Sequence, residues 1–251
     1  MTKTTSSIQV IDRAVQLLDV LSQYDKPASL KFLAADTGLH PSTAFRILGS
    51  LIIHQLVEKN ETGDYHLGTR LLSWGDQVRS RMDIRTEARP IMEWLRDKVG
   101  ETVNLTVRED DEVVYVERSI SRHAIRVEQV IGSRAPLHVT AVGKLMLGES
   151  GEQACQDYTK RTGLPKFTDN TLTIESKLAE EIKDAMQNGY ALDNEEAELG
   201  VGCIGVVIHD SSGSVVAGLS VSAPIERRQP EWIEFIQQAG EQLSARLGYS
   251  K

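Results

Sequence analysis

Apolar positions recur every three or four residues through the start of this 251-residue chain. Val10, Ala14, Leu17, Leu18 and Leu21 share one side of a helix, and the run Lys-Pro-Ala-Ser at 26–29 stops it. Ser29 is suited to cap a short second helix with Leu30, Leu33 and Ala34 inward, ending at Gly38. The next stretch, HPSTAFRILGSL at 40–51, has two faces at about 100° per residue. Ala44, Ile47, Leu48 and Leu51 lie on one, and Ser42, Thr43, Arg46, Gly49 and Ser50 on the other. Pro41 fits a first helical turn, where its missing N–H is no loss. Two helices joined by a tight glycine turn after a first helix predict a helix-turn-helix, with 40–51 in the recognition position.

Short alternating runs follow at Leu56–Lys59 and Tyr65–Leu67, around a glycine-containing loop at Asn60–Asp64, and predict a wing hairpin. From Arg70 to about Arg85 the pattern is helical again, with an apolar stripe of Leu71, Leu72, Trp74, Val78 and Met82 that fits either a second copy or its own chain. After a helix ending at Gly100, period two takes over. Strands are predicted at Val103–Arg108, Val113–Glu117 and Ala124–Val130, and helices at about Val142–Leu147, Glu152–Arg161 and Leu178–Asn188. Gly205–His209 and Val215–Ser222 flank Asp-Ser-Ser-Gly as a hairpin, and a last helix spans about Pro230–Leu247. The fold class expected is α+β: a winged helix-turn-helix (1–70), a linker helix (71–85) and an α/β domain with an antiparallel sheet (86–251).

Composition changes this picture little, but charge does. The net charge is −8, yet residues 1–85 hold ten Lys and Arg against nine Asp and Glu, so the acidic excess belongs to the second part. A neutral-to-basic module joined to an acidic one permits DNA binding by local charge, and asks for at least a dimer. Cys155 and Cys203 form no Cys-x-x-Cys pair, which argues against a zinc ribbon or a disulfide framework. The histidines show no metal spacing, and no apolar run reaches membrane-spanning length. A cytoplasmic protein with no cofactor, metal or membrane partner is expected.

On the recognition segment, Ser42, Thr43, Arg46 and Ser50 are candidates for base or phosphate contacts, since arginine reads guanine edges and small hydroxyls reach phosphates. Ser29, Lys31 and Lys59 join them as backbone contacts, with His66 near Lys59 on the wing. Taken alone, that face is equally an ordinary solvated one. GVGCIG at 200–205 matches a dinucleotide fingerprint by letter but not by context, because an acidic run precedes it and a strand-like run follows. PLHVTAVGKLML at 136–147 is a turn entering a helix whose free N–H groups near Ala141 and Val142 are able to hold an anion. Ser220 and Ser222 share a strand face, and with Cys203 and Asp193 they offer polar groups to a small pocket, or are ordinary strand residues.

HPSTAFRILGSL, GETVNLTV (100–107), PLHVTAVGK (136–144) and GYALDNEEAELGVGCIGVVIHDSSGSVVAGLSVSAP (189–224) together resemble the IclR-type bacterial transcriptional regulators over essentially the whole chain. The resemblance implies a GAF-like effector domain that binds a small organic acid or aromatic compound, dimers or tetramers on operator DNA, and no enzymatic activity. It implies that the backbone at Ala141 and Gly143 holds the effector, and that Asp193, Cys203, Ser220 and Ser222 line its pocket. Strand alternation and helix position add Leu105, Val107, Val116 and Met146 as an apolar wall. Asp193 is a puzzle beside an anion, resolved either by a ligand hydroxyl or by protonation. The function expected is a ligand-responsive transcription factor acting as a repressor; the rival is a thiol-based redox or enzymatic domain using Cys203.

Overall fold

A computed structural model describes residues 7–250. The periodic segments at the start fold as α1 (Gln9–Ser22), α2 (Leu30–Thr37) and α3 (Pro41–Ile53). Ser29 caps α2 by accepting the Phe32 N–H, and Gly38 ends it in the left-handed conformation that glycine adopts without strain. Leu17, Leu33, Ala44 and Leu48 meet in a core with no exposure, each large side chain contributing about 1.5–3 kcal/mol. Val10, expected inward, is instead exposed, together with Ile11 and Val15. The wing is present as β1 (Val57–Lys59) paired antiparallel with β2 (Tyr65–Leu67), and Ala28 bridges to Tyr65.

The helix expected to reach about Arg85 stops earlier. α4 covers Arg70–Arg79, and Asp83 then starts α5 (Ile84–Val99) by accepting the Arg85 N–H. The chain divides here into two compact units, Met1–Arg81 and Met82–Lys251. On α4, Leu72, Trp74 and Val78 are exposed while Leu71 and, past its end, Met82 are half-buried, so its own chain covers only part of this stripe.

The second unit is built on a six-stranded antiparallel sheet: β3 (Thr102–Glu109), β4 (Glu112–Ser119), β5 (Arg134–Pro136), β6 (Ala191–Asn194), β7 (Val201–His209) and β8 (Val215–Pro224), in the order β5-β4-β3-β8-β7-β6. α5 and α9 (Trp232–Arg246) cover one face, where Met92, Leu95, Leu105, Leu219, Ile236 and Leu243 are fully buried. α6 (Ala141–Glu149), α7 (Glu152–Thr162) and α8 (Glu175–Asn188) cover the other, around Leu137, Leu147, Tyr158 and Leu178. Because both faces are covered, central β8 is buried almost throughout instead of alternating.

The sheet corrects one expectation and lengthens another strand. The strand predicted at 124–130 is irregular backbone: Ile125 and Val130 are largely exposed, and Arg227 and Arg118 hold the carbonyls of Ile125 and Gln129. Pairing to β4 begins only at Arg134, so the apolar residues before it have no sheet face to bury. In the other direction, β7 begins at Val201 and absorbs most of the GVGCIG run into a strand, which leaves no helix start for a pyrophosphate.

Candidate functional site

On α3 the buried stripe of Ala44, Ile47, Leu48 and Leu51 turns the remaining side chains outward. His40 caps the helix, with Nδ1 accepting the Ser42 N–H and lying 2.8 Å from the Ser42 hydroxyl. Arg46 is exposed and makes no hydrogen bond or ion pair among the described residues, so its five donors are uncommitted. Ser50 and Lys31 are exposed, Thr43 is half-buried, and the half-buried Ser29 already spends its oxygen on the α2 cap. Lys59 lies over the Tyr65 ring at 5.2 Å, which steadies a cation on the wing.

The second unit holds a cavity of about 200 Å³ between the sheet and the start of α6. Its polar floor is an inter-strand row: Asp193 on β6 stands opposite Cys203 on β7, and Cys203 opposite Ser222 on β8. Ser220, two residues along the same face, lies between Gly205 and Asn104. Val139, Ala141 and Val142 bound the helix side, and Tyr115, Phe167 and Val201 supply much of the apolar wall. The helix sits close to the strands because Gly205 and Gly218 leave room for Val142; a Cβ on Gly205 would fall 2.9 Å from the Val142 nitrogen. Thr140 caps α6 by accepting the Gly143 N–H at 3.1 Å. The N–H groups of Ala141 and Val142, in the same first turn, have no acceptor among the described residues.

Beneath the floor runs a buried polar chain. Lys144, fully buried, places Nζ 2.6 Å from Glu196 Oε1 and 3.4 Å from Glu181, and Glu196 in turn donates its N–H to Asp193 Oδ1 at 2.8 Å. Burial raises the Asp193 pKa to about 6; the nearby Glu196 carboxylate adds to this, while the Glu196 N–H and Lys144 oppose it. Burial likewise pushes the Cys203 thiol up, as does Asp193, which disfavours the reactive thiolate. Ser222 is tied down by Asn104 Nδ2 at 3.1 Å and by the Cys203 sulfur at 3.2 Å. Among the described residues, no group of His, Cys, Asp and Glu could hold a metal ion, and no helix is long and apolar enough to cross a membrane.

The family model described as the bacterial transcriptional regulator IclR C-terminal matches residues 76–245, and that of the IclR helix-turn-helix domain matches residues 10–61. The chain belongs to the IclR family. It is 32% identical over 247 residues to the HTH-type transcriptional regulator XynR of Escherichia coli (strain K12), covering 96% of this chain and 98% of that one. Among solved structures, the repressor BlcR from Agobacterium tumefaciens superposes with a TM-score of 0.81 at 28% identity, over 98% of this chain and 100% of that one. An IclR homologue from Microbacterium hydrocarbonoxydans complexed with 4-hydroxybenzoate gives 0.63 at 25% identity, over 96% and 100%. These relatives are transcriptional regulators and not enzymes, and so is this IclR chain.

In this IclR regulator, Ala141, Asp193, Cys203 and Ser220 line one cavity, with Ser222 directly behind Cys203. Gly143 stands off the wall, its N–H spent on Thr140, and a Cβ there would collide with the Leu137 carbonyl and the Thr140 hydroxyl. Leu105 does not face the cavity. Strand parity turns it, with Val107 and Val116, into the core under α5 and α9, and puts Asn104 and Thr106 on the opposite face, toward Ser222 and Gly218. Met146 also leaves the wall: it is buried among Leu137, Leu147 and Tyr158, more than a turn beyond the mouth of α6. Sequence reasoning missed Tyr115, Phe167 and the Lys144–Glu196 pair. Lys144 stood in the quoted PLHVTAVGK run, and a lysine flanked by apolar helix positions on both sides was the available signal that it is buried.

Proposed function

We propose that this regulator is an effector-controlled repressor: residues 1–70 bind a palindromic or repeated operator as a dimer, 71–85 link, and 86–251 bind a small organic acid that changes operator binding. The observation that carries the effector half is the meeting, in one cavity, of two unpaired N–H groups at Ala141 and Val142 with the Ser220 hydroxyl and Asp193. The N–H pair suits a carboxylate, and helix polarity favours it. Tyr115 and Phe167 give the other end flat apolar walls, which suits an aromatic or unsaturated acid, as 4-hydroxybenzoate is for the Microbacterium protein. At about 30 Å³ per water, the volume admits about six or seven waters, or one small acid. For DNA, support comes from the uncommitted Arg46 beside Ser42, Thr43 and Ser50, with Lys31 and Lys59 as phosphate contacts. The exposed Leu72, Trp74 and Val78 on α4 supply an apolar face for the second copy. The raised Cys203 thiol removes the support for a redox role.

Thermal unfolding of the intact protein against a panel of small aliphatic and aromatic carboxylates tests the effector half. At about 100 times its dissociation constant, the true ligand stabilises the fold by about 2.7 kcal/mol. Ser220→Ala is expected to reduce that shift and Ser222→Ala to reduce it less, because Ser222 acts through Cys203. A panel member that shifts wild type and both variants equally would place its binding elsewhere.

A further inference from the structure

The helices of this chain use glycine in two ways. A Cβ on Gly143 would fall 2.3 Å from the Leu137 carbonyl, on Gly148 2.6 Å from Met186 Sδ, and on Gly240 2.8 Å from Val206 Cγ2, so packing accounts for all three. Gly49, in the middle of α3, has nothing within 4 Å of its Cβ position and no positive φ, as has Gly75 in α4; what sets Gly49 apart is its place on the outward face of α3. Nothing inside the unit requires it, although an interior helical glycine costs stability relative to alanine. It lies on the outward face with Ser42 and Arg46, between two large apolar side chains left in water: Phe45, 55% exposed, and Ile53, 79% exposed. Positions 45, 49 and 53 form one i, i+4 row, so the helix carries an apolar ridge with a notch at its centre. Phe45 makes no ring contact among the described residues.

We propose that Phe45 and Gly49 read a thymine. The missing side chain at 49 lets the edge of the major groove approach the helix backbone, and the Phe45 ring then covers the 5-methyl group, the one apolar feature a base pair presents there. Arg46 and Ser42 address donors and acceptors; the ridge addresses the methyl. The assignment rests on α3 being the DNA-reading helix, and the ridge runs directly beside the polar side chains of that reading.

The test uses the full chain to select its preferred duplex from a random-sequence pool. Each thymine of that site is then replaced in turn by deoxyuridine, which removes only the methyl. Wild type is expected to lose about fourfold in affinity at one thymine of each half-site, the worth of one buried methyl. Phe45→Ala loses that sensitivity and keeps the rest of its profile. Gly49→Ala binds about tenfold more weakly, while melting no earlier than wild type because alanine favours the helix. A deoxyuridine profile unchanged by Phe45→Ala, or undiminished binding by Gly49→Ala, overturns the assignment. So does a change in sedimentation of Phe45→Ala and Ile53→Ser with unaltered base selectivity, which gives the ridge to protein association. Arg46→Ala separates the layers. If it binds as wild type does, α3 is not the reader at all; if it weakens while Phe45→Ala leaves the profile intact, only the thymine assignment falls.

Discussion

The outward face of α3 and the polar residues in and beneath the cavity floor of the second unit carry similar side chains, hydroxyls and one cation, in opposite states. Arg46 is exposed and has no partner among the described residues, whereas Lys144 is fully buried and pairs with Glu196 and Glu181. Among the described residues, the Ser42 hydroxyl touches only a neighbour two residues away, whereas that of Ser222 is held by side chains from two other strands. A surface that must match a long, charged partner keeps its donors free and leaves the docking energy to the complex. A cavity that discriminates a small acid, as proposed here, does best to fix its polar groups beforehand, so that little ordering remains to be done on binding.

If that contrast is physical, substitutions in the two regions should separate stability from recognition. The largest effect is expected from Lys144→Met, which leaves Glu196 buried without its cation and costs about 3–5 kcal/mol in urea unfolding. A loss no greater than that of a surface substitution would show that Glu196 finds water or a proton, and the contrast would weaken. Next comes pH. Asp193 keeps its proton to about 6 in the folded chain and loses it near the ordinary carboxylate value when unfolded. The folded state therefore binds more protons between about pH 4 and 6, and the stability contributed by this group is lost as pH rises through that window, by about 2–3 kcal/mol. Asp193→Asn removes the slope, so its stability relative to wild type should climb from pH 4 to 7; parallel curves would refute the shift.

Arg46→Ala should do the reverse of Lys144→Met: unfolding unchanged within about 0.5 kcal/mol, and operator affinity lower by about 1–3 kcal/mol with one base preference relaxed. The smallest effect sharpens a mixed case. Ser29→Ala removes the α2 cap and costs about 1 kcal/mol of stability, and Ser29→Asp restores the cap while placing a negative charge where a phosphate would lie. Stability rescued with DNA affinity lost would give Ser29 both roles; affinity retained would leave it only the cap.

The same contrast explains what could be read in the chain beforehand. α1 to α3 and the wing follow from contacts within a few residues of each other, so periodicity, a capping serine and Gly38 suffice to find them. The cavity joins residues more than a hundred positions apart, such as Tyr115 and Ser220, and no local pattern reports that pairing. Its polar members were accessible through likeness to a family. Its apolar wall was not: alternation tells which residues share a face but not which face meets α6, and Leu105 went to the wrong side for that reason. The run 124–130 has strand-like residues, but the pairing to β4 does not extend back past Arg134 to reach it.

The tight seat of α6 on Gly205 and Gly218 has a practical consequence for anyone wishing to retarget this regulator as a biosensor. On the proposed reading, the anion end of the cavity is made of backbone, held by two positions where even one added carbon would displace the helix, so it offers a designer almost nothing to vary. Chemical selectivity would be rewritten at Phe167, Val139 and Tyr115, side chains whose replacement leaves the carboxylate grip untouched, and a library confined to them would search for new acids without first having to rediscover how to hold one.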